Sequence, residues 1–516
     1  MALNDSIEGF RPANDLRLLD KARALAPVFC HQTIRPRAPF LWSATIKGKH
    51  IPLCDLPELA LGRGDGLCLD FGTHLVGHVT LDLSYFGSHP DAPAFLRLRF
   101  AEILQELEEE PAAFDGWLSR SWFQEEFIHL DELPTRVTLP RRYAFRYLKI
   151  DVLDTSPKYK LVLHQATCVS ETSANLEALP PFSTGDVLLD KIDRAGLLTL
   201  VNCMQDVFED GPKRDRRLWM GDLRLQALTN YASFKNYDLV KRCLYLFGGT
   251  RFPDGRVSAC LFTRPELEAD DTYLFDYSLF FIVTLEEYLR ETDDREALDD
   301  LYSIAMEQIE LSLRLFDDNL VATRAAAKES FVDWCDGLDK TACAQAILIY
   351  SLRYALDLAR RKGDCAQLER LNRLLERAIK TARIHFWDVS RGVFVSNGQV
   401  SIASQVWMVL AGVLTDDESK ALMERADRIL NDYPMTTPYM RHYYISALLE
   451  AGLEEKALAA MKDYWGGMLN AGADTFWEVW DPKAPKASPY GGFIANSFCH
   501  AWSCTPSYFI RQYFCK

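Results

Sequence analysis

The chain has 516 residues, more than one hydrophobic core ordinarily serves, so two or more domains are expected. Apolar residues make up 48% and charged residues 25%, which excludes long disordered stretches, and a net charge of −15 with no basic block makes nucleic acid and anionic membrane surfaces poor partners. No apolar run is long enough to span a bilayer, and the first ten residues lack an apolar signal core, so no membrane partner and a cytoplasmic location are expected.

Residues 1–38 read as an N-terminal extension with one short helix over Leu16–Ala26. Residues 39–178 read as β-structure. Val79, Leu81, Leu83 and Tyr85 alternate with Thr80, Asp82 and Ser84; Leu96, Leu98 and Phe100 with Arg97 and Arg99; Leu148, Ile150 and Val152 with Lys149 and Asp151. Period-two alternation puts one face in a core and the other in water, and the Gly/Pro/Asp-rich turns between such runs predict an antiparallel β-sandwich. Pro180–Thr184, with two prolines, reads as a linker.

From residue 185 to 516 the period changes. Leu298, Leu301, Ala305, Ile309 and Leu313 recur at helical spacing, as do Ala344, Leu348, Leu352, Ala355 and Ala359. Roughly ten to twelve such stretches, joined by short loops and without a sequence repeat, predict a toroid of paired helices rather than a solenoid. The 13 cysteines are odd in number and form no CxxC pair, so buried reduced thiols are expected and a zinc knuckle is not.

Three segments interrupt this pattern with polar and aromatic residues. Glu209 to Asp222 holds Asp210, Asp215 and Asp222 among Lys213, Arg214, Arg216 and Arg217, with Trp219 near its end. Burial and neighbouring cations can there hold carboxyl groups in different protonation states, which acid/base chemistry needs. Taken alone, the segment reads more readily as a salt-bridged surface loop. In Gly472 to Asp481, Glu478 stands between Trp477 and Trp480, and in Asn496 to Ser503, His500 stands near Trp502. A carboxylate among indoles suits a sugar site that activates a water, although a capping Glu over core tryptophans has the same sequence. Hydrolysis of a glycoside needs two carboxyls, one to protonate the leaving oxygen and one to attack or to activate water.

Together these residues carry a resemblance. Asp210, Pro212, Arg214, Trp219, Gly221 and Asp222 fall without a gap on the Asp-Cys-Pro-x-Arg-Glu-x-x-x-Trp-x-Gly-Asp signature of glycoside hydrolase family 78, the α-L-rhamnosidases. Thr475 to Glu478 resembles that family's Thr-Thr-Phe-Trp-Glu motif. Ser497, Cys499, His500, Trp502 and Ser503 resemble its Ser-x-Cys-His-x-Trp-Ser motif, and Phe331 to Trp334 its Gly-Asp-Trp segment. The resemblance covers residues 40 to 510. It implies an (α/α)6-barrel after the β-sandwich and inversion at the anomeric carbon, with no cofactor or metal required. By the same resemblance Glu478 is the general base, and Asp210, Arg214, Trp219, Asp222, Asp333, Trp334, Trp477, His500 and Trp502 hold or wall a carbohydrate substrate. The chain departs from the family at Asp215, which occupies the place of its general-acid Glu, and at Gly211, which replaces the Cys. The sequence ends just after the third motif, so the C-terminal β-domain common in the family is not expected. Three other readings stay open at this point: a related helical-toroid hydrolase with another sugar specificity, a sugar-binding homologue with weakened catalysis, and a helical-toroid polysaccharide lyase, which fits the carboxylate pair less well.

Overall fold

The fold is described from a computed structural model covering residues 12–43, 45–429 and 433–515. Its N-terminal part is a ten-stranded sheet in which every pairing is antiparallel. The organising strand is Gly66–Gly87. Its first half pairs with Tyr143–Asp154 and Ala38–Trp42; its second half pairs with Tyr159–Thr172 and Thr135–Thr138. Leu67, Leu69, Leu81, Leu96, Leu98, Leu148 and Ile150 form the core on one face, as the alternation requires.

The opposite face is drier than the sequence pattern predicts. Arg99 and Lys149 are buried, because the segment Leu104–Ala113 folds over them. Arg99 donates to the Glu109 carbonyl and Lys149 pairs with Asp151. Apolar alternation reports one buried face and is silent about a charged face covered later. The sheet also starts earlier than residue 39, since Cys30–Ile34 pairs with Tyr159–Thr172.

The helical part holds eleven α-helices of nine residues or more between Val187 and Asn470 among the described residues. They fall into two kinds. Met220–Tyr231 and Ile402–Leu410 are buried at every position, and Phe275–Thr292 and Thr341–Lys362 at most. Cys365–Phe386 buries only Leu371, Ala378, Thr381, Ala382 and Phe386. A helix apolar all round belongs inside, and one with a narrow apolar stripe belongs outside. Most consecutive helices pack as neighbours, and Glu454–Asn470, near the end of the series, packs on Val187–Cys203, which opens it.

The predicted N-terminal helix forms at Leu16–Ala24, capped by the Asp15 side chain. It packs on Tyr237–Gly249, with Leu18, Leu19 and Ala22 inside the helical core, and Ala13–Asn14 pairs with Thr250–Arg251. The extension therefore joins the helical body. No helix among the described residues is long and apolar enough to cross a membrane, and the cysteines there are unpaired.

Candidate active site

The three interrupting segments converge at one end of the helical body, where the β-rich part meets it. Glu209–Gly221 leads into the helix Met220–Tyr231. The motif glycine just ahead of Asp222 has a clear reason: a Cβ on Gly221 would overlap the Tyr277 ring. The other two segments run antiparallel to each other, with the Glu478 amide donating to the Ser497 carbonyl and the His500 amide to the Phe476 carbonyl.

Glu478 is 3% exposed. Its carboxylate accepts from the Arg214 guanidinium, from the Tyr490 hydroxyl at 2.5 Å and from the Ser497 amide at 3.1 Å. The indole N–H of Trp502 donates to its carbonyl at 3.0 Å. Arg214 Nη1 lies 3.5 Å from Asp215 Oδ1, so one guanidinium serves both predicted catalytic carboxylates. Asp215 differs in setting, with its side chain 22% exposed. The cluster therefore opens to solvent on the Asp215 side and closes behind Glu478.

Asp210 is buried and holds the loop in shape: its carboxylate accepts from the amides of Asp215 and Arg217. Burial first, and the charge of Asp215 second, push its carboxyl up to about 7. Asp222 is driven well above the usual carboxylate range by burial and then by Asp210. His500 Nε2 lies 3.7 Å from Glu478 Oε1 and 3.8 Å from Asp210 Oδ2, and its Nδ1 lies 3.8 Å from Asp222 Oδ1. Burial, reinforced by Arg214, lowers His500 to about 3, so its imidazole is neutral. Asp222 Oδ1 and His500 Nδ1 are buried without a hydrogen-bond partner.

The aromatic residues divide. Trp334 is half-buried and stands 5.1 Å from Trp502 and 5.7 Å from Tyr490, ring centre to ring centre. Trp502 lies beneath His500, 4.4 Å away. Trp219, half-buried at the head of its helix, meets Tyr277 edge-on. Trp477, expected to wall the pocket, instead packs against Trp480 and Phe498 at 5.1 and 5.3 Å. Successive side chains of an extended segment leave on opposite faces, so Glu478 facing the cluster turns Trp477 away from it. Asp333, expected to hold substrate, has both oxygens engaged by the chain: it accepts from the amides and hydroxyls of Thr436 and Thr437 and from the Trp334 amide. It anchors Trp334.

The sequence reading missed several residues. Tyr490 touches Glu478, and the Arg214 guanidinium lies 4.0 Å from its ring centre. Glu102 and Glu106 reach in from the β-rich part to the buried Lys213 ammonium, at 3.1 and 2.6 Å, and Glu102 also accepts from the Phe498 amide. None of these lies in a motif; Tyr490 meets Glu478 from 12 residues away, while the partners of Glu102 and Glu106 lie more than 100 residues off. No group of three or more His, Cys, Asp or Glu suited to a metal occurs among the described residues.

Comparison with known proteins finds matches over both parts of the chain. The family model for the glycosyl hydrolase family 78 α-rhamnosidase N-terminal domain matches residues 42–170, and that for the bacterial α-L-rhamnosidase six-hairpin glycosidase domain matches residues 178–514. A rhamnosidase from Klebsiella oxytoca, solved with rhamnose bound, is similar over 97% of this chain and 99% of its own, at 44% identity and a TM-score of 0.93. Two more distant structures share the fold. A family 78 rhamnosidase of Bacillus sp. GL1 is 22% identical, with a TM-score of 0.72 over 87% of this chain and 46% of its own. An α-L-rhamnosidase of Streptomyces avermitilis, complexed with L-rhamnose, is 19% identical, with a TM-score of 0.67 over 94% of this chain and 44% of its own. No curated protein matches the chain.

Proposed function

The chain belongs to glycosyl hydrolase family 78 and is a glycoside hydrolase, and from that premise we propose that it is an inverting exo-α-L-rhamnosidase with Glu478 as general base and Asp215 as general acid. The observation that carries the reading is the Arg214 bridge, which sets a buried carboxylate and a solvent-facing carboxylate on one guanidinium. An inverting site needs two carboxyls in different roles, one activating water and one protonating the departing oxygen, and the two unlike settings suit that division. The architecture in this proposal is a β-sandwich followed by an (α/α)6-barrel. The buried and amphipathic helices, and the packing of Glu454–Asn470 on Val187–Cys203, support a closed double ring.

The sugar is held by the groups the chain leaves free. Asp222 Oδ1 and His500 Nδ1 are buried and unpaired, a costly state that hydroxyls of a bound sugar relieve. Trp334 supplies an apolar wall. A Cβ at Gly211 would lie 2.5 Å from the Arg214 carbonyl oxygen, so the turn that carries Asp215 is tighter than a Cys would allow.

Replacing Glu478 with Gln preserves shape and removes the acceptor of water's proton. Turnover of an aryl α-L-rhamnoside should fall by roughly 10²–10⁴, with rhamnose binding retained. Unchanged turnover would remove Glu478 from the mechanism.

A further inference from the structure

One tryptophan stands exposed beside the carboxylate cluster and comes from the other end of the sequence. Trp117, in the β-rich part, is 55% exposed and is the one tryptophan among the exposed large hydrophobic residues described. Tryptophan is usually well buried. This one is also fixed, because its indole N–H donates to the Pro489 carbonyl at 2.9 Å. Its ring lies 5.5 Å from that of Tyr490, tilted by 48°. Tyr490 in turn touches Glu478 and carries on its ring the guanidinium that serves Glu478 and Asp215.

The chain is built to bring these segments together. A Cβ on Gly116 would overlap the Tyr490 carbonyl oxygen, and one on Gly491 would come 2.7 Å from Gly116 Cα. The two stretches touch backbone to backbone, and Phe114, Tyr490 and Ala495 form a small core beneath the contact. Phe114 fills the core of that contact, while Trp117, tethered to the Pro489 carbonyl, keeps more than half of its surface in water. The cluster opens to solvent on the side of the partly exposed Asp215, and in exo-hydrolysis the leaving group remains outside the sugar pocket.

We propose that Trp117 is the platform of a leaving-group subsite, which takes a ring with an apolar face attached to the glycosidic oxygen. The proposal rests on the rhamnosidase reading above. A rigid, exposed indole offers its face with little ordering cost on binding. Two chemistries share that face, an aryl ring and a second sugar ring.

The test compares wild type, Trp117→Ala and Trp117→Tyr on methyl α-L-rhamnoside, an aryl α-L-rhamnoside and a rhamnosyl-hexose disaccharide, together with inhibition by free L-rhamnose. Trp117→Ala should raise KM about 3- to 10-fold for one or both ring-bearing substrates. Methyl rhamnoside kinetics and rhamnose inhibition should stay unchanged, and Trp117→Tyr should recover most of the loss. A loss confined to the aryl substrate identifies an aromatic leaving group, and one confined to the disaccharide identifies a sugar. Equal losses on all substrates with weaker rhamnose inhibition would make Trp117 a prop for Tyr490 and overturn the proposal, as would no change on either ring-bearing substrate. If wild type cleaves no rhamnoside, the functional reading fails first and takes this subsite with it.

Discussion

By the motif resemblance Asp215 stands where the family has a glutamate, and its surroundings define a sharp expectation. It is the more exposed of the two carboxylates on Arg214, and the family's glutamate would be one methylene longer. If it protonates the departing oxygen, its importance scales with how poor the leaving group is. Asp215→Asn should spare a nitrophenyl rhamnoside, whose phenolate leaves unaided, and slow an alkyl or disaccharide rhamnoside by about 10²–10⁴. Equal losses on both, accompanied by a lower melting temperature, would reduce Asp215 to a partner of Arg214 and direct attention to Asp210, whose carboxyl is pushed up to about 7. At this scale the sequence was readable where a residue sits in a short local pattern. Glu478, His500 and Asp222 are such residues, and the structure brings them together. Tyr490 was not readable, because the sequence Ser-Pro-Tyr-Gly-Gly marks a turn and says nothing about which carboxylate the phenol meets.

At the scale of elements, the segments that carry Asp215 and Glu478 are braced from outside the helical body. Glu102, at the end of the strand Ala94–Ala101, touches His74, Lys213 and the Phe498 amide, and so ties the loop of Asp215 to the segment paired with Glu478. Burial works against its charge, but Lys213 and His74 overcome it and hold Glu102 below the usual carboxylate range. A carboxyl depressed in the folded state contributes stability above its unfolded value, near 4.5, and loses it as pH falls through the folded value. Glu102→Ala should therefore destabilise the protein near neutral pH, on the order of 3–5 kcal/mol for breaking a buried pair. The gap from wild type should narrow as the pH drops below about 4.5, as read from thermal melts across pH. A gap independent of pH would show that packing, and not charge, sets the contribution. Trp477 teaches the complementary lesson. Its motif position was legible, but its direction depended on the pairing of 476–478 with 497–500, and a motif read as a string carries no face.

At the scale of the whole molecule, helical and two-residue periods separated the helical part from the β-rich part because each follows from burying one face of a regular element. Contacts between the two parts obey no period. The Arg142–Glu209 and Lys213–Glu106 pairs join residues far apart in sequence, and Leu16–Ala24 crosses from the chain's start into the helical core. Residues of the β-rich part thus reach the loop that carries Asp215. The claim at its centre is a base held deep by Arg214 and Tyr490, delivering water to the face opposite the leaving group. Proton NMR of the first sugar released from an aryl α-L-rhamnoside, followed before mutarotation, tests this most directly. The account predicts β-L-rhamnose as the initial product of the wild-type enzyme; α-L-rhamnose appearing first would contradict it.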